Sequence, residues 1–581
     1  MERRREGKGE RETKELLGQA RMKMEDEGRC FYLYIGFFTK SPYFAVPYDG
    51  LLYDSSAYTE CKSQPEGPLY NGGILKDYVS NPNHTEIGFG SPGTGLNSSE
   101  FLLRNLTHHT KYCFSTWIKI NGAHSARIKA SLSTENKTYN CIGTVVAKSG
   151  CWSFLKGGFV LDSASPRSVL FFKNADGEKV NILTASASLQ PFTDQQWWKN
   201  QEHKINRERK RAVTIHVSDE NGNRLQGASI WVKQSSKDFL FGSAIANTIL
   251  GNLPYQNWFV RRFNAAVFEN ELKWYATEPE RGNINYTIAD QMFEFIRANQ
   301  IAVRGHNIFW EDPRYTPAWV RNLSSEELRL AVELRIQTLM NKYKREFIHW
   351  DVSNELLHFD FYEKQLGRNA TLHFFKIAHQ SDPLATLFIN DFNVVETCED
   401  DANSTVDDYI SRLRELQKAG ASMAGIGLEG HFKVPNIPLM RAVLDKLATL
   451  GLPIWLTEID ISNTMDKQTQ AIYLEDVLRE GFSHPSVTGM MLWTALGSNG
   501  CYEMCLTDNE FHNLPAGDVV DKLLQEWQTR EREGHTDEHG SYSFYGFLGE
   551  YKAYASYGDK SFSTTFSLSR GHETKHFSIQ L

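Results

Sequence analysis

From Phe239 to Thr494 the chain repeats one pattern eight times, a short apolar run followed by a stretch with helical periodicity. The runs begin at Phe239, Ala265, Ala302, Phe347, Thr386, Gly425, Pro453 and Val487. A strand buried on both faces of a parallel sheet reads as a continuous apolar run, because neither face meets water. The intervening stretches carry helix starts, as in Ser325-Glu-Glu-Leu-Arg-Leu-Ala-Val, where a serine and a glutamate stand at an N-terminal capping spacing. Eight strand-helix units in roughly 290 residues imply a (β/α)8 barrel.

A barrel of this kind places its chemistry at the C-terminal ends of its strands. Here those ends carry Asn270, Glu271, His306, Trp310, Asn354, Glu355, Asp391, His431, Glu458, Asp460 and Trp493. Two of the runs, Trp350-Asp-Val-Ser-Asn-Glu and Trp455-Leu-Thr-Glu-Ile-Asp, each place a glutamate, Glu355 and Glu458, at the end of a strand. Paired carboxyls facing one cleft, with aromatic residues around them, suit the cleavage of a glycosidic bond. One carboxyl protonates the leaving oxygen while the other attacks the sugar or activates water.

Length and charge agree with a large enzyme acting on a neutral substrate. The 581 residues exceed what one barrel needs, and 63 Lys and Arg against 71 Asp and Glu leave a formal charge of −8. That balance argues against a partner made of nucleic acid, and no apolar run reaches the length of a membrane span. Eight cysteines without paired CxxC sets give no metal site. Disulfides are expected if the protein is exported, and eight Asn-X-Ser/Thr sequons lean the same way.

The barrel, 235–530, is expected to have β modules on either side. Residues 50–205 alternate apolar and polar positions between Gly, Asn and Pro, the texture of a jelly-roll-like β-sandwich. A basic stretch from Trp197 to Arg211 follows, and then Ala212–Val217 and Ala228–Lys233, which the Asn221-Gly222 pair should join as a hairpin. Residues 528–539 read as a charged linker and 540–581 as strands. Segments 212–234 and 536–581 are expected to form one split β module interrupted by the barrel. Residues 1–49 are either a charged tail or a leader preceded by surplus sequence. The apolar run Cys30–Phe38 suits a signal core, but nine basic and eight acidic residues precede it.

Six motifs, in order, carry a resemblance: Phe268-Glu-Asn-Glu-Leu-Lys-Trp, Arg304-Gly-His-Asn-Ile-Phe-Trp, Trp350-Asp-Val-Ser-Asn-Glu, Ile389-Asn-Asp-Phe-Asn, Gly427-Leu-Glu-Gly-His-Phe and Leu456-Thr-Glu-Ile-Asp. Together they resemble glycoside hydrolase family 10, the endo-1,4-β-xylanases, with the N-terminal β region similar to a family 22 carbohydrate-binding module as in plant members. The resemblance implies a retaining hydrolase of cell-wall xylan that needs no cofactor. It makes Glu355 the acid/base and Glu458 the nucleophile, about 5–5.5 Å apart. Asn354 would hold the sugar 2-hydroxyl, and His431 would bond Glu458 with Asp460 behind it. Glu269, Asn270 and Lys273 would grip the sugar one unit towards the non-reducing end, His306 and Trp310 would line the next position, and Trp493 would stack beneath the sugar at the cleavage point. Rival readings are a transglycosylase or another β-1,4-glycanase on the same fold, and a silent wall-polysaccharide-binding protein.

Three departures stand out. Glu311 occupies a position where a histidine is usual, and Ser353 replaces a small apolar residue, a change expected to matter little. The loop after Trp493 lacks a second tryptophan, leaving Tyr502 and a Cys501–Cys505 clamp as candidates for the roof of the site.

Overall fold

A computed structural model describes residues 48–76, 100–177, 179–398 and 404–581. The expected leader, but for its last two residues, lies outside the described residues, as do the sequons at Asn83, Asn97 and Asn403.

Eight parallel strands close the barrel: Leu240–Ile245 (β1), Ala265–Phe268 (β2), Ala302–Gly305 (β3), His349–Asn354 (β4), Thr386–Asp391 (β5), Gly425–Phe432 (β6), Ile454–Ile461 (β7) and Val487–Leu492 (β8). Each pairs with its neighbour in sequence, and Leu240 opposite Gly489 joins β1 to β8. Every residue of β2, β4 and β7 is buried, the apolar Ala265–Phe268 and the polar side chains of β4 and β7 alike. Glycine makes room for the Trp350 ring against β3, since a Cβ on Gly305 would lie 2.1 Å from that ring. Trp350 itself is fully buried core. The run Ala302–Trp310 is not one strand: β3 stops at Gly305, and Phe309–Trp310 resumes alongside the end of β4. The helix Ser325–Lys342 begins with the expected capping box, Ser324 Oγ accepting from the Glu327 N–H and Glu327 accepting from the Ser324 N–H.

The N-terminal module is a two-sheet sandwich. Lys111–Asn121 runs between Ser153–Val160 and Asn181–Phe192 in one sheet. The other has the order Phe101–Leu106, Ser165–Asn174, Ser125–Thr134, Thr138–Lys148. Ile118, Ile128, Leu155 and Leu170 from both sheets fill the space between them. Of its tryptophans, Trp117 is core, Trp197 is buried against the barrel and Trp198 is 45% exposed.

Three local expectations are corrected. The basic stretch after the sandwich is a helix, Asp194–Arg209, capped by Thr193 and Gln196. Lys210–Ser218 and Ser229–Lys237 do not pair as a hairpin. Ten residues separate them, so Asp219 closes its turn locally on the Asn221 and Asn223 N–H groups and each strand finds other partners. The first pairs with Ser541–Phe547 and Lys575–Gln580, the second with Gly549–Tyr557 and Arg532–His535. The two sheets pack through Val213, Ile215, Ile230, Val232 and Tyr551. The supposed linker therefore contains the strand Arg532–His535.

The sandwich is fastened to the barrel. Cys141 bonds to Cys398 in the loop after β5, and Lys156 and the Tyr53 hydroxyl both reach Asp445 at 2.7 Å. Arg127 grips Asp408 with two N–H groups at 3.0 Å, and the Trp197 indole donates to Glu480. Cys61–Cys151 and Cys501–Cys505 complete the disulfides among the described residues.

Candidate active site

The strand ends converge on a small set of buried polar groups. Glu355 follows the last residue of β4 with φ +64°, a left-handed bend. The bend is held by its N–H donating to the Asn390 carbonyl at 2.8 Å and its own carbonyl accepting from the His358 and Phe359 N–H groups. Burial pushes the Glu355 carboxyl up to about 7, the Trp310 indole opposes it, and the charges on Asp391 and Glu458 add to it.

Glu458, in β7, is treated in the opposite way. Its Oε1 accepts from Asn390 Nδ2 at 2.7 Å and lies 3.9 Å from His306 Nδ1, and its Oε2 lies 3.7 Å from His431 Nε2. Burial works against its charge, but His306, His431 and Lys273 outweigh burial and hold the carboxyl at about 2. At neutral pH the site therefore holds one carboxyl near its titration point and one firmly ionised.

The remaining expected residues lie around this pair. Asn354 Oδ1 accepts from Asn390 Nδ2 at 2.9 Å. His431 Nδ1 meets Asp460 Oδ1 at 2.9 Å; burial disfavours its charge, yet Asp460, Glu429 and Glu458 keep the imidazolium well above its usual range. His306 Nδ1 bonds Asp351 at 3.0 Å, and its ring stands edge-on to Trp493 at 5.2 Å. Lys273 Nζ sits 4.4 Å over Trp310 and 5.7 Å over Trp493. It also donates to Asn270 Oδ1 at 3.2 Å, while burial and Glu271 lift the Glu269 carboxyl against the pull of Lys273. Trp310 stacks on Tyr315 with centroids 3.8 Å apart. Tyr502 is 60% exposed with its ring 5.6 Å from His431, beside the Cys501–Cys505 bridge, where a roof residue would stand.

Sequence reasoning passed over several members of this cluster. Asn390 is its hub, donating towards Asn354, Glu429 and Glu458 and accepting from the Thr457 hydroxyl. Glu429 stands two residues before His431 on β6, the strand spacing that puts both on one face. Ser353 does matter: its hydroxyl donates to Glu311 Oε1 at 2.7 Å, and the Tyr362 N–H meets the other oxygen. Burial pushes Glu311 up to about 8, so the hydroxyl satisfies a buried acid that an apolar residue would leave unpaired.

A carboxyl able to give a proton and another able to attack, with the Trp310 and Trp493 rings beside Lys273 in the same cluster, are the parts that hydrolysis of a glycosidic bond requires. The sequence places the chain more narrowly. Residues 232–509 match the profile of Glycosyl hydrolase family 10. Over 506 residues the chain is 36% identical to Endo-1,4-beta-xylanase 5 of Arabidopsis thaliana, covering 86% of this chain and 87% of that protein. It is 35% identical to Endo-1,4-beta-xylanase 4 of the same plant, covering 85% and 86%. Among solved structures, xylanase 10B from Thermotoga petrophila RKU-1 in complex with xylobiose covers 50% of this chain and 94% of that one, at 25% identity and a TM-score of 0.45. The chain belongs to Glycosyl hydrolase family 10 and is a glycoside hydrolase.

Proposed function

We propose that the protein is a secreted, retaining endo-1,4-β-xylanase that cuts internal bonds of cell-wall xylan. The observation that carries this reading is the opposite treatment of two strand-end carboxyls, Glu355 raised to about 7 and Glu458 held at about 2. Glu355, still protonated, gives its proton to the glycosidic oxygen as Glu458 attacks the anomeric carbon and forms a glycosyl ester. Esterification removes the charge on Glu458, the Glu355 carboxylate becomes easier to form, and it then takes a proton from the incoming water. Asn354, held by Asn390, bonds the 2-hydroxyl most tightly as the ring gains oxocarbenium character.

Trp493 forms the platform under the sugar at the cleavage point, its indole facing pyranose C–H groups. Lys273, Asn270 and Glu269, with His306 and Trp310, hold the units towards the non-reducing end. Residues 50–205 act as a carbohydrate-binding sandwich, 235–530 as the catalytic barrel, and 212–234 with 536–581 as one split module. Three disulfides favour an oxidising, extracellular setting. The test is wild type and Glu458→Gln assayed on xylan and on cellulose, with the anomer of the first product followed by NMR. Release of β-anomeric product from xylan by the wild type alone is expected. Turnover by the variant, α-anomeric product, or activity confined to cellulose would refute the assignment.

A further inference from the structure

Glu429 and Glu458 lie opposite each other in the pairing of β6 with β7. They are 2% and 5% exposed, and their carboxyl oxygens and the His431 ring nitrogen lie within 4.8 Å of one another. The groups that could neutralise them are shared. His431 Nε2 is 3.5 Å from Glu429 Oε2 and 3.7 Å from Glu458 Oε2, and Asn390 Nδ2 is 3.1 Å from Glu429 and 2.7 Å from Glu458. The other charged or titratable groups that face Glu429 are Glu355, Lys273 and the Tyr409 phenol.

Two carboxylates so close and so dry do not both persist; the pair keeps one proton between them. Glu458 has the shorter bond to Asn390 and His306 within 3.9 Å in addition, so the charge settles on Glu458 and the proton on Glu429. Burial and the charge on Glu458 push the Glu429 carboxyl well above its usual range, in keeping with that division. An ionised Glu429 would draw the His431 and Asn390 N–H groups to itself, away from the carboxylate they aim.

We propose that Glu429 is a positioning residue that must hold a proton for the sugar to be transferred to Glu458, so that its ionisation, separately from that of Glu355, switches the site off at alkaline pH. The inference rests on Glu458 being the nucleophile. No atom is transferred from Glu429 in the reaction; its proton is lost to solvent when pH rises and regained when pH falls.

The test uses 2,4-dinitrophenyl β-xylobioside, whose leaving group departs without a proton, so the Glu355 limb disappears from kcat/KM. Wild type should still lose activity at least tenfold between its plateau and two pH units beyond the remaining midpoint, whereas Glu429→Gln, neutral at every pH, should stay flat over that range. A flat wild-type profile overturns the proposal without recourse to any variant, and so does a decline that Glu429→Gln retains. Glu458→Gln is measured alongside. If it turns the substrate over, the nucleophile assignment has failed; if it is silent while the other two profiles coincide, only the role of Glu429 falls.

Discussion

Replacing Glu355 and Glu458 in turn by glutamine should move stability in opposite directions, although under the proposed mechanism both changes should abolish xylan hydrolysis. Glu355 rises from 4.5 to about 7 on folding, which at about 1.4 kcal/mol per unit amounts to about 3 kcal/mol. The folded state holds the Glu355 proton more tightly than the unfolded chain does. The penalty is therefore absent below about pH 4.5, grows as pH rises, and is complete above about pH 7. Glu458 falls from 4.5 to about 2, a similar magnitude of opposite sign. Its contribution is complete above about pH 4.5 and is lost as pH falls towards about 2.

An amide at 355 should thus stabilise the enzyme by about 3 kcal/mol at pH 8.5 and by little at pH 4.5, and an amide at 458 should destabilise it by about 3 kcal/mol at both neutral and alkaline pH. For a domain of this size each kcal/mol moves the melting point by about 2 °C, so shifts near +6 and −6 °C are expected at pH 8.5. Calorimetry with the disulfides intact, at pH 4.5 and 8.5, reads both. Shifts of the same sign, or a gain for Glu355→Gln that does not depend on pH, would show that the two carboxyls are not held in opposite charge states.

Asn354→Ala should lower kcat/KM on xylo-oligosaccharides by about 10²-fold, chiefly in kcat, and steady-state kinetics on a 2-deoxy substrate should show the loss largely gone. Ser353→Ala should cost about 1–3 kcal/mol in denaturant unfolding, because it strips Glu311 of its hydroxyl donor inside a buried pocket. Cys398→Ser should lower stability by about 2–5 kcal/mol under non-reducing conditions, visible as an earlier melting transition that involves the sandwich and the barrel together.

The barrel was legible because burial on both faces makes its strands predominantly apolar, and because polar groups gather towards the ends of such strands, the buried Arg304–Asp351 pair being an exception within them. Glu355, Glu458 and their immediate neighbours were singled out for that reason. Asn390 and Glu429 were not singled out, since each looks like an ordinary polar residue in its own strand and gains meaning only from residues on other strands, 36 to 68 positions from Asn390 and, in Glu458, on the strand paired with that of Glu429. Asn221-Gly222 misled because a turn signal fixes a local bend, not the partner of the strands around it. The helix Asp194–Arg209 is mostly polar, buried only at Trp197, Asn200, Gln201, Ile205 and Glu208, and so offered no apolar stripe to read. Cys141 and Cys398, 257 residues apart, could not be matched by spacing at all.

The split β module imposes an order on synthesis. Lys210–Ser218 and Ser229–Lys237 leave the ribosome about 300 residues before the segments that pair with them, Ser541–Phe547 and Gly549–Tyr557. Until those last segments arrive, two strands of strong β character stand with open edges at the foot of a growing barrel, inviting pairing with other chains. A premature stop between the barrel and Ser541 would leave the barrel strands whole while Lys210–Ser218 lost both of its partners and Ser229–Lys237 at least one of its two. The closing segments from Ser541 onward thus cover strand edges that would otherwise stay open to pairing with other chains.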